Sequence, residues 1–89
     1  MEILNIMGKI ISRELNISPP AARGIIKLSI KDEFGPFKPL RELKYSDMLL
    51  VVNNSLRRRF ITLKIKNCEQ ILSTLRKELN ENQSLFSLE

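Results

Sequence analysis

The chain has 89 residues, 43% hydrophobic and 28% charged, which suits one small globular domain over 1–89 and leaves no room for two. No run approaches the roughly 20 apolar residues of a membrane span, and the first apolar stretch is broken by Asn5, Gly8 and Lys9, unlike a secretory signal. With no histidine and the single cysteine Cys68, the chain lacks the commonest general base, the commonest metal ligand and an internal disulfide, so no cofactor, no metal and no enzymatic activity are expected. A cytoplasmic protein without a membrane partner is the corresponding expectation.

From Glu2 to Leu15 the apolar residues Ile3, Leu4, Met7, Ile10, Ile11 and Leu15 recur at steps of three and four, which predicts an amphipathic helix ending near Asn16. Ser18 followed by Pro19 starts a second helix: the serine caps free amides, and proline fits a first turn whose N–H has no partner anyway. That helix runs to about Phe34, and its apolar residues cover enough of the circumference to predict the central, most buried element. Gly35 and Pro36 end it. Phe37 then lies in a loop, where it reads first as a plug folded back on the core and, alternatively, as an anchor for a partner. Leu40 and Leu43 pin the same loop.

Ser46 and Asp47 predict the cap and first turn of a third helix, with Leu49, Val52, Leu56, Phe60 and Leu63 on its apolar stripe. The β-branched Ile61 and Thr62 support a competing short extended segment over 61–66. Asn67 with Gln70 resembles a capping pair for a fourth helix, with Ile71, Leu72, Leu75 and Leu79 as its stripe. The tail 82–89 carries Leu85, Phe86 and Leu88, too apolar for a solvated end; it docks on its own domain or offers a motif to a partner. The expected fold is all-α, a small bundle of about four helices.

The net charge of +5 is unevenly placed. Between Arg23 and Lys66 eleven basic residues face four acidic ones, whereas the remaining segments hold four basic against six acidic. A basic middle with mildly acidic ends suits an anionic partner. Arg23, Lys27 and Lys31 stand at four-residue steps, which stacks them along one helix face. Arg57, Arg58 and Arg59 follow on the third helix, and Lys64 and Lys66 extend the run with no acidic residue between Asp47 and Glu69. Three consecutive helical residues span about 200° of arc, so one arginine should lie along the core edge with its stem packed. Guanidinium forks and mobile ammonium groups together suit a repeating phosphate backbone, of DNA or RNA, better than one compact ligand. An acidic protein surface and simple solvation are the competing readings. Cys68 has no histidine to activate it, and Asp32 and Glu33 are neighbours pointing in different directions on a helix.

The stretch from Ile17 to Lys66, ISPPAARGIIKLSIKDEFGPFKPLRELKYSDMLLVVNNSLRRRFITLKIK, resembles small, isoleucine-rich, basic proteins of archaeal information processing. In size, charge and lack of motifs it is similar to the small accessory subunits that bind archaeal B-family DNA polymerases. The resemblance implies a non-catalytic helper in DNA replication that stays with a larger enzyme and adds contacts to DNA. Gln83, Ser84, Leu85 and Phe86 are similar to sliding-clamp-binding peptides, with a departure from their usual spacing. The rival reading is a pure protein-interaction module, anchored by Phe37 or by Leu85, Phe86 and Leu88, with its cations facing an acidic partner.

Overall fold

The structure, a computed structural model, describes residues 2–86. Helix α1, Glu2–Leu15, buries Ile3, Leu4, Met7, Ile10 and Ile11. It stops because Asn16 turns left-handed at φ 55°, which lets the Ile17 N–H donate to the Ser12 carbonyl at 3.1 Å while the Ser12 hydroxyl donates to the Ile17 carbonyl at 2.6 Å. Helix α2, Pro19–Phe34, starts as its sequence predicts: the Ser18 hydroxyl accepts the Ala21 N–H at 3.2 Å, and prolines occupy the first two positions. Gly35, at φ 85°, ends it and donates its N–H to the Lys31 carbonyl at 2.8 Å.

Helix α3 is a single rod made of Tyr45–Val51, a π-helical segment Val52–Leu56, and Arg57–Thr62. Its cap is Lys44 and not Ser46, because the Asp47 carboxylate reaches back to accept the Lys44 N–H at 3.0 Å. The wide segment has a packing reason. Met48 and Phe60 are both fully buried, yet an uninterrupted α-helix turning about 100° per residue would place two residues twelve apart about 120° away from each other. A π segment absorbs one extra residue into a turn and brings Phe60 back to within about 20° of Met48. The buried stripe is therefore Met48, Val51, Val52, Ser55, Leu56 and Phe60; Leu49 is only half-buried, and Leu63 is 52% exposed.

The rod ends in a turn and not in the extended segment considered for 61–66. Lys64 is left-handed at φ 59°, and the N–H groups of Lys64 and Ile65 donate to the carbonyls of Ile61 and Phe60, each at 3.0 Å. No strand occurs among the described residues. Helix α4, Cys68–Glu81, buries Ile71, Leu72, Leu75 and Leu79. The Asn67 side chain does not cap it; its amide donates instead to Glu14 Oε2 at 3.4 Å, tying the start of α4 to the end of α1. Cys68 is half-buried against the core.

The main packing is cyclic: α1 lies against α2 and α4, and α3 lies against the same two helices from the other side. Helix α2 is thus one wall and not the centre. It buries Ala22, Ile26, Ser29 and Ile30, while Leu28 stays 47% exposed between Lys27 and Lys31, whose ammonium groups need water. The most deeply buried run is on α3. No helix among the described residues is long and apolar enough to cross a membrane.

Two apolar residues depart from their predicted places. Phe37 is 92% exposed, so it is no plug; Leu43, at 1%, fills the core from the same loop. The loop around Phe37 is held from below, since Lys38 lies 5.4 Å from the centre of the Phe34 ring and 3.8 Å from the Asp47 carboxylate. In the tail, Phe86 is buried edge-on against Tyr45 with ring centres 6.1 Å apart, while Leu85 remains partly exposed. Phe86 docks on its own domain and is not displayed as a partner anchor. Leu88 lies outside the described residues.

Candidate nucleic-acid interface

The predicted cations divide into two groups that differ in what already satisfies them. Lys27 and Lys31 stand one turn apart on the outer face of α2, both exposed, with no acidic partner among the described residues. Arg23 lies at the edge of that face, its stem resting on α1: a Cβ added to Gly8 would meet Arg23 Cγ at 2.7 Å. The missing side chain at Gly8 is therefore what lets the arginine lie down there. Lys64 and Lys66, in the turn after α3, are exposed and also carry no ion pair among the described residues.

The arginine triplet behaves differently. Arg57 pairs with Glu69 at the start of α4 and donates from Nε to the Asn53 carbonyl at 3.2 Å, so it closes the α3–α4 junction. Arg59 pairs through Nη2 with Asp32 of α2; its Nε is buried and has no hydrogen-bond partner among the described residues. It is the arginine at the core edge that helical spacing required. Arg58 is exposed and donates to the Ser55 hydroxyl at 3.2 Å. That hydroxyl, buried at 2% exposure, donates in turn to Glu33 Oε1 at 2.6 Å.

Asp32 and Glu33 thus both reach α3, although they leave α2 in different directions. Between Glu14 and Glu42 they are the only acidic residues. Opposite a basic triplet on another element, that isolation was the signal available for this contact. Asp32, Ser55, Arg58, Arg59 and Thr62 line a polar cleft between α2 and α3, of about 310 Å³, in which Asp32 and Arg59 are paired, and Glu33 joins it through the Ser55 hydroxyl. The predicted basic surface is consequently smaller than the composition implied: Arg57 and Arg59 are neutralised by partners, while Arg23, Lys27 and Lys31 on α2, Arg58 on α3, and Lys64 and Lys66 in the turn after it carry no ion pair among the described residues.

Among the described residues no three Cys, Asp or Glu side chains converge as a metal would require. Phe37 is an apolar side chain held in water. Because it touches so little of the domain, Phe37→Ser is expected to leave stability within about 0.5 kcal/mol of the parent in thermal unfolding, whereas a core plug would cost several times more. Compared with protein-family models, curated proteins and solved structures, the chain matches none.

Proposed function

We propose that the chain is a non-catalytic accessory protein that contacts the phosphate backbone of nucleic acid through Lys27, Lys31 and Arg23 on α2, with Lys64 and Lys66, while Phe37 anchors a larger protein partner. The observation that carries this reading is the outer face of α2, where two lysines one turn apart face water with no acidic partner among the described residues. Charges left unpaired in this way attach to phosphates without reading sequence. Phe37 supports the second contact: an aromatic ring held out on a loop that Lys38 ties to Phe34 and Asp47 is already ordered before binding, which lowers the entropic cost of docking. The resemblance in size and charge makes a DNA polymerase the first partner to try.

The test is fluorescence anisotropy of labelled duplex and single-stranded DNA across a range of salt concentrations. Each phosphate contact contributes about 0.9 to the slope of log affinity against log salt, hence roughly tenfold in affinity near 0.1 M salt. Lys27→Ala and Lys31→Ala are each expected to weaken binding by roughly that factor for any DNA sequence and to flatten the slope by about one. A double variant that stays folded and keeps both affinity and slope would sink the reading. The alternative, a pure protein-interaction module, draws on the prior pairing of Arg57 and Arg59; it predicts no DNA binding even at low salt and partner capture that is lost with Phe37→Ser.

A further inference from the structure

We propose that the cleft between α2 and α3 is a phosphate site held closed by the protein's own carboxylate, with Asp32 occupying the place on Arg59 that a phosphate of the nucleic-acid backbone takes when bound. This rests on the backbone-binding reading above and adds to it a specific site.

The argument begins with how Arg59 is used. The Nε and Nη2 groups form one edge of a guanidinium, the fork that grips two oxygens of a single anion. Asp32 takes only the Nη2 half of that edge, and the Nε half is buried without a partner among the described residues. A buried donor left unpaired is unfavourable, so the closed arrangement is incompletely satisfied. A phosphate presents several oxygens and is not tethered to α2, so it can meet both halves of the fork once Asp32 gives way and the side chain turns outward.

The surroundings suit the exchange. Asp32 is itself exposed and pairs with Arg59 at the surface, where an ion pair contributes little and competes readily with another anion. Arg58 is exposed in the same cleft, and the Thr62 hydroxyl adds a further donor. Ser55 is committed to Glu33 and fixes the Arg58 end of the cleft through its oxygen. With Asp32 in place Arg59 is paired and Arg58 is held by the Ser55 hydroxyl; with Asp32 displaced the cleft gains the one charge that backbone binding needs.

The experiment titrates labelled duplex DNA with the parent protein, Asp32→Asn, Asp32→Asn/Arg59→Gln, and Glu81→Gln, which removes the same charge from an exposed site on α4. Helicity is checked for each variant, and Asp32→Ser replaces Asp32→Asn if the latter loses it. Opening the site should add about one phosphate contact, so Asp32→Asn is expected to bind roughly tenfold tighter near 0.1 M salt with a slope steeper by about 0.9. The gain should vanish in the double variant and be largely absent from Glu81→Gln. A gain that survives removal of Arg59, or that Glu81→Gln reproduces, is a net-charge effect and overturns the site. If Lys27→Ala and Lys31→Ala weaken the parent but Asp32→Asn gains nothing, the site is overturned and the α2 surface stands. Binding by Asp32→Asn where the parent shows none supports the site and overturns the activity proposed for the parent. No binding by either overturns both.

Discussion

Phe60→Ala is expected to destabilise the domain by about 3–5 kcal/mol, the ordinary cost of emptying a phenylalanine site in a packed core. Phe60 is fully buried, and it is the last core residue of a rod whose next turn, at Ile61 and Leu63, is already more than half exposed. Its carbonyl also accepts the Ile65 N–H that closes the helix, so a shift of the residue loosens the turn carrying Lys64 and Lys66. For a chain of this length total stability is on the order of 4–13 kcal/mol, so the variant should retain only a narrow margin or none. Urea unfolding followed by circular dichroism reads the change in midpoint, and Leu63→Ala, at an exposed site, should move it by no more than about 0.5 kcal/mol. A loss below about 1 kcal/mol for Phe60→Ala would show that the core around it collapses freely, contrary to the close packing described.

What the sequence made legible follows from the range of the forces involved. Helix ends are decided by neighbours: Ser18 with Pro19 and Gly35 with Pro36 each act within one turn, and both ends stand where their chemistry puts them. The stripe of α4 was equally plain, because Ile71, Leu72, Leu75 and Leu79 keep α-helical spacing with no interruption. The outward placement of Lys27 and Lys31 was legible for the same reason. The neutralisation of Arg57 and Arg59 was not, since their carboxylates stand 12 and 27 positions away in the chain and only the packing of α3 against α4 and α2 brings them together. Phe37 was misread because local chemistry does not decide which apolar residue of a loop enters the core. Leu43 and Phe37 competed for that role, and the clamp of Lys38 on Phe34 and Asp47 leaves Phe37 outside. The π segment left only a long-range trace, the twelve-residue separation of two residues that both end in the core.

That trace leads to the second large effect, a contrast between two single-residue deletions. Removing Asn54, an exposed residue within Val52–Leu56, should be tolerated at an ordinary cost of about 1–2 kcal/mol. The deletion takes out the residue that the wide turn absorbs, so the rod becomes a regular α-helix. Met48 and what is now the residue eleven positions on still face the same core, because eleven steps of about 100° return to within about 20° of the start. Removing Ser73, an equally exposed residue in the middle of regular α4, has no such slack to use. It rotates Leu75 and Leu79 by about 100° away from Ile71 and Leu72, taking two fully buried leucines off the core at about 2–5 kcal/mol each, a loss of the same order as the whole stability of the domain. The expected result is a cooperative thermal transition for the Asn54 deletion and no transition, with low helicity at every temperature, for the Ser73 deletion. Equal damage from both would mean that the π segment carries no removable residue and that its width has a cause other than register. A folded Asn54 deletion would also separate shape from charge in the cleft, since it keeps Ser55, Arg58 and Arg59 in the chain while tightening the turn that presents them to Asp32 and Glu33.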